Sequence, residues 1–271
     1  MDDALAHWLA LREPIDFTSR SDTLTRRLVE RLSTVDPLRA LDLGTGTGSN
    51  IRYLIERLPA ARQQWLAIDR SDTLLDRVRR LTSATHHGDR HVQVDTRRLD
   101  LGALDDPSIF ADQHLVTAAA LLDLVSASWL QTLAGHCRRA GAIALFTIVY
   151  NGESTSSPRE PEDDLVLELF NRHQHRDKGL GGPAAGPEAT EAAVHAFADV
   201  GYETETARSD WALGPQHAAV QRELIEGWAF AAKETDASAA SVIDDWRTRR
   251  LQHVEAGRSH IIVGHFDLAA W

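Results

Sequence analysis

Apolar side chains recur along the chain with two different periods. Near the N-terminus they follow helical spacing at residues 4–11, where Pro14 is expected to end the helix because it has no N–H to continue the hydrogen-bond ladder. A second helix is predicted at residues 22–32, with Leu24, Leu28 and Leu32 on one face. From Leu38 onward, short apolar runs predict strands at 38–43, 65–69, 91–94, 114–118 and 142–150, separated by amphipathic helices at 50–58, 73–81 and 128–138. That alternation is the mark of a parallel sheet with crossover helices. Beyond Asn151 the polar stretch 152–158 reads as a loop, followed by a helix at 162–173, a glycine-rich segment at 178–183 and a helix at 187–200 opened by Pro187. A strand at 202–208, helices at 216–233 and 238–255, and an apolar strand at 260–266 complete the chain.

The expected fold is therefore α/β, a doubly wound and mostly parallel seven-stranded sheet. It is read as one domain over 1–271. Residues 1–34 form a helical lid, 35–151 a ligand-binding core, and 152–190 with 215–256 two helical insertions that cap the carboxyl ends of the strands. The sequence shows no internal repeat and no low-complexity tract.

Composition narrows the function. The 271 residues are 43% hydrophobic and 25% charged, the balance of a globular protein. The formal net charge of −11 disfavours a long phosphate backbone as partner. A lone cysteine, Cys137, permits no internal disulfide and no structural zinc site, which suits a reducing cytoplasm. The acidic start of the chain lacks the features of a secretory signal, and no apolar run reaches membrane-spanning length, so no membrane partner is expected. Lysine occurs only at Lys178 and Lys233, a bias that by itself carries no functional weight.

Residues 41–50 carry the most chemistry. They run from a predicted strand through Gly44, Gly46 and Gly48 into a helix. Three glycines in alternation allow a ligand to approach the backbone and permit positive φ. The dinucleotide fingerprint G-x-G-x-x-G would need glycine at position 49, which is Ser49. Asp42 precedes the glycines, and Asp69 ends the next strand 69 − 44 = 25 residues beyond Gly44, where a carboxylate can accept ribose hydroxyls. Two acids beside such a turn suit a cationic, ribose-bearing ligand.

With Asp100 and Leu101 after the third strand, these residues resemble the class I S-adenosylmethionine-dependent methyltransferases over roughly residues 22–151. The resemblance implies a Rossmann-like fold and S-adenosylmethionine as cofactor. Asp42 and the glycines would then lie beside its methionine part, Asp69 on the ribose and Asp100 with Leu101 at the adenine. Arg20, Thr45, Asn50, Arg70 and Ala118 complete the expected cofactor contacts, Arg20 through the methionine carboxylate. The last strand would be the family's reversed strand. Two departures stand out: only Gly141 remains of a glycine pair usual before the fifth strand, and no Asn/Asp-Pro-Pro-aromatic tetrapeptide follows the fourth. The second disfavours a nucleobase or amide acceptor, leaving a small molecule.

Asp123, at the end of the fourth strand, is either a catalytic residue or the N-cap of the helix that follows. The polar cluster at 171–178 is either a solvated helix end or part of the acceptor site, with His173 and His175 as its catalytic residues; at i, i+2 on a helix they would not face one metal, and none is expected. Tyr150, Asn171 and Trp211 are candidate acceptor contacts, although aromatic residues such as Trp211 and Trp228 pack cores by default. The competing readings are a nicotinamide-dependent oxidoreductase, opposed by Ser49, and a module that binds S-adenosylmethionine without turnover.

Overall fold

In a computed structural model of the chain, which describes residues 2–83, 90–102 and 104–271, the expected alternation is realised around a single sheet. Its first half comprises β1 (Leu38–Leu43), α3 (Ser49–Ile55), β2 (Arg62–Asp69), α4 (Asp72–Ser83), β3 (His91–Arg98), β4 (Leu115–Ala119), α5 (Ala127–Ala140) and β5 (Ile143–Ser157). The second half follows with α6 (Asp163–Gln174), α7 (Ala189–Asp199), β6 (Thr204–Arg208), β7 (Trp211–Leu213), α8 (Ala218–Thr235), α9 (Ala240–Glu255) and β8 (His260–Ala270); α1 (Asp2–Ser19) and α2 (Asp22–Arg31) precede them all. The strand order is β3-β2-β1-β4-β5-β8-β6, with β7 joined to β8 outside that path. Strands β1 to β5 are mutually parallel, and β8 runs antiparallel to β5, β6 and β7. The order reverses between β1 and β4, so the carboxyl ends of these two strands open a crevice.

Both faces of the sheet are covered. Leu24 and Leu28 of α2 pack with Tyr53 and Leu54 of α3 on one side, and Trp129 and Leu133 of α5 with Phe197 of α7 on the other. Burying each such side chain contributes about 1.5–3 kcal/mol. A third apolar cluster joins Val166 and Leu169 of α6, Ile225 and Trp228 of α8, and Ile243 and Trp246 of α9 to Trp211 of β7 and Ile148 and Tyr150 of β5.

Three expectations require correction. Pro14 does not end the first helix, which continues to Ser19. The hydrogen bond lost at Pro14 is outweighed by what the next turn contributes: Ile15 is buried, and Asp16 accepts from Arg12 Nε at 2.8 Å and Trp211 Nε1 at 3.0 Å. The polar stretch 152–158 is no loop, because β5 extends through Ser157 and pairs with the first residues of β8, Ser154 opposite Val263 and Ser157 opposite His260. Among the described residues the sheet has eight strands, one more than expected, the added β7 being three residues long, too short to leave a periodic trace. No helix among the described residues is long and apolar enough to cross a membrane.

Candidate functional site

Gly44, Gly46 and Gly48 take φ of 60°, 56° and 80°, left-handed values that an L side chain adopts only at a cost. The loop is also tightly covered: a Cβ at Gly46 would stand 2.9 Å from Leu9 Cδ1 of α1, and one at Gly44 3.3 Å from Leu121. Asp69 braces the loop from β2, accepting from Gly46 N and Ser71 N at 3.0 Å each. Helix α1 is fastened over these ends. Glu13 takes both arms of Arg52, at 2.6 and 3.0 Å, Asp2 accepts from Ser71 Oγ at 2.6 Å, and Asp3 pairs with Arg77 at 2.8 Å.

Under the loop lies a buried polar network centred on Asn50. Its Nδ2 donates to Asp42 at 2.7 Å and to Thr117 Oγ1 at 3.0 Å, and its Oδ1 accepts from Arg20 Nη1 at 2.6 Å. Arg20 also stacks 4.0 Å from the centre of the Tyr53 ring. Asp42 is fully buried, and burial pushes its carboxyl up to about 6. Asp42 Oδ2, Thr45 Oγ1 and the Nε and Nη2 of Arg20 are all buried without a well-formed hydrogen bond.

A second charged group gathers beside the first. Asp123 sits in a short 3-10 turn, Leu122–Leu124, where burial pushes it up to about 6 against the opposing charges of Arg12 and Lys178, and its Oδ1 is buried without a partner. Ser126, not Asp123, caps α5, its side chain accepting from Trp129 N, so the capping reading of Asp123 falls. Around Asp123 runs a chain of ring contacts with centroids 5.0–6.2 Å apart: Trp8 to Trp211, Trp211 to His265, His265 to Tyr150, Tyr150 to Phe170, Phe170 to Trp228. His265 is pushed down to about 3 by burial and the charge of Arg12, which keeps it neutral at physiological pH.

No protein-family model matches the sequence, and a search of curated proteins finds no match. Solved structures do match. A candidate methyltransferase from Bacillus halodurans C-125 aligns at TM-score 0.51 and 16% identity over 91% of this chain and 96% of its own. A SAM-dependent methyltransferase from Geobacter sulfurreducens in complex with S-adenosyl-L-homocysteine aligns at 0.46 and 18% over 92% and 91%. The cyclopropane synthase MmaA2 from Mycobacterium tuberculosis aligns at 0.45 and 13% over 91% and 83%. The strand order and the first of these likenesses decide the architecture. The fold is that of the class I methyltransferases.

Within this fold, Asp42, Gly44, Thr45, Gly46, Gly48, Asn50 and Asp69 come together at the crevice. Arg20 reaches it from beneath, through Asn50. The other expected contacts are not drawn into this network. Arg70 is exposed, and Asp100 is exposed and accepts from Gly102 N at 2.9 Å. Leu101 and Ala118 are buried in the core cluster beneath the sheet, where Leu101 O accepts from Trp129 Nε1 at 2.6 Å.

The acceptor candidates divide in the same way. Tyr150 donates to Asn171 Oδ1 at 2.8 Å, and Trp211 is fixed by Asp16, so these three lie around the aromatic chain. His173 faces α8 and meets Glu234 at 3.0 Å, while His175 faces Ala184 O and Glu188 at 3.4 Å each, so the structure does not bring the two histidines to one place. Sequence reasoning missed Thr117 and His265. It also missed the strain at Ala120, just past β4, and at Ile148, at a register shift within β5, whose φ of 49° and 55° no composition signal marks.

Proposed function

We propose that the protein transfers the methyl group of S-adenosylmethionine to a small-molecule acceptor. One observation carries this reading: at the switch point of the sheet, Asp42 before the left-handed glycine turn and Asp123 in the turn after β4 each hold a buried carboxylate oxygen without a well-formed hydrogen bond. A buried uncompensated carboxylate is costly, and a cationic ligand offsets that cost. S-adenosylmethionine fits through its ammonium and sulfonium charges; when bound it supplies a methyl group on a positive sulfur, open to in-line displacement. Asp69 keeps lone pairs for ribose hydroxyls beyond the two backbone amides that orient it. Arg20, Asn50 and Thr117 hold Asp42 in place. Asp123, titrating near neutrality, is suited to take a proton from an acceptor.

Helix α1 acts as a lid, and α6, α8 and α9 cap the acceptor side. The net charge of −11 supports a small acceptor over a polynucleotide, and the lone buried Cys137 suits the cytoplasm. Calorimetric titration with S-adenosylmethionine, S-adenosylhomocysteine and NAD tests the reading: the first two bind and NAD does not. Asp69→Ala weakens both by about 1–3 kcal/mol through lost charge-assisted hydrogen bonds. Unchanged affinity in a folded variant removes Asp69 from the site. Incubation of the protein with methyl-labelled cofactor and a cell extract then reveals which molecule takes the label.

A further inference from the structure

Between α1, α6 and α8 lies a cavity of about 390 Å3, within the range of small-molecule sites. Trp8, Phe170, Trp228 and Phe230 line it, and Phe230 is 61% exposed at its rim. The cation in its lining is Lys178, half-buried on the loop after α6. Its Nζ donates to His173 O at 3.2 Å and lies 3.4 Å from His173 Nδ1, and no carboxylate among the described residues stands within ion-pair distance. The contrast with the other lysine is direct: Lys233 meets Asp244 at 2.7 Å.

The acids near Lys178 do not supply the missing partner. Glu234 is engaged by His173 and Arg176, Glu223 is exposed at the mouth, and Asp123 interacts with the ammonium only from beyond contact distance. Desolvation, with Arg176 adding to it, holds Lys178 below the usual lysine range. An ammonium half out of water with no counter-ion is a ready site for an anion. Aromatic walls select a flat ring, since ring pairs contribute beyond the area they bury.

We propose that the acceptor is a small aromatic acid, its ring lying among Trp8, Phe170 and Trp228 and its carboxylate on Lys178. This rests on the methyltransferase reading only in naming the molecule the acceptor. A cationic arylamine would meet Lys178 as a like charge, and a neutral ring would leave the ammonium uncompensated.

Three probes with one ring and three charges test the proposal on the full chain, with and without saturating S-adenosylhomocysteine: 4-hydroxyphenylacetate, its amide, and tyramine, joined by indole-3-acetate as a larger acid. The readout is quenching of tryptophan fluorescence. The acids bind saturably, the amide at least tenfold more weakly, and tyramine not at all. Lys178→Met weakens the acids at least tenfold and Lys233→Met leaves them unchanged, while S-adenosylhomocysteine affinity holds in both. Because the chain has only two lysines, reductive 13C-methylation of the wild-type protein gives two lysine side-chain NMR signals, and only the Lys178 signal moves on adding acid; this second readout does not depend on the variant folding. Amide or amine binding as tight as the acid, a Lys178→Met protein that binds normally, a Lys178 signal that stays still, or no saturation by either acid up to about 10 mM overturns the proposal. If the acids bind through Lys178 but S-adenosylhomocysteine does not bind, the cofactor reading fails and the anion site stands; the reverse result sinks only the anion site.

Discussion

Asp123→Asn removes a charge from the site at nearly constant shape, and its effect on folding has a computable pH signature. The folded carboxyl sits at about 6 against an ordinary value of 3.8, so between these values the folded state binds more protons than the unfolded one. Stability from this group is therefore fully present below about pH 4 and lost as pH rises through about 6. The whole loss is about 2 pKa units at 1.36 kcal/mol each, about 3 kcal/mol, of which about 1.4 kcal/mol falls between pH 5 and pH 8. The variant lacks this loss. Any fixed penalty for burying the amide cancels when the same variant is compared at the two pH values. Urea denaturation of both proteins at pH 5 and pH 8 should show the variant gaining about 1.4 kcal/mol on the wild type over the interval. The same variant should bind S-adenosylmethionine more weakly at pH 8, because a cation no longer relieves a buried negative charge, so stability and affinity move in opposite directions. Equal pH slopes for the two proteins would refute the argument that Asp123 is held uncompensated.

Asn50→Ala leaves Asp42 and Arg20 buried without the amide that joins them and should cost about 3–5 kcal/mol in urea unfolding, the magnitude of breaking a buried charged network. Gly46→Ala combines a φ of 56° with a Cβ 2.9 Å from Leu9, so it should weaken S-adenosylhomocysteine binding at least about tenfold by calorimetry; Leu9→Ala in the same protein restores space but not backbone freedom, and recovery is only partial. Single replacements separate the two histidines: His173→Gln should slow labelled methyl transfer, whereas His175→Gln should leave the rate within about twofold, a difference of about 0.4 kcal/mol. Equal losses in both would place the acceptor on the other side of α6.

The crevice at the glycine turn was the most legible part of the sequence because its determinants are local: strand, glycine turn, helix and the acid of the next strand all lie within residues 38–69. What escaped depends on partners far along the chain. Residues 154–157 are too polar to announce a strand and become one only by pairing with residues 260–263. Pro14 obeys local chemistry, yet Trp211, almost two hundred residues away, holds the turn that follows it. Leu101 looked like a pocket residue by position, but the core under α5 claimed its side chain. Lys178 lay within a polar cluster already singled out, and nothing in its neighbours showed that it alone would face a cavity without a counter-ion while Lys233 found Asp244.

Helix α1 lies across the glycine turn, fastened at one end by Asp2 and Asp3 and in the middle by Glu13, and it joins α2 through Arg20, the only residue between Ser19 and the α2 cap Ser21. Under the lid role proposed above, molecules of nucleoside size reach the crevice when those fastenings release, which would separate how fast a ligand arrives from how tightly it is held. The outer tie is weak, since Asp3 is 89% exposed in its pair with Arg77 and such pairs contribute at most about 1 kcal/mol. The Glu13–Arg52 fork, mostly withdrawn from solvent, is the firmer latch. On that proposed lid role its strength would set the residence time of a ligand beneath, through a contact that touches no reacting atom.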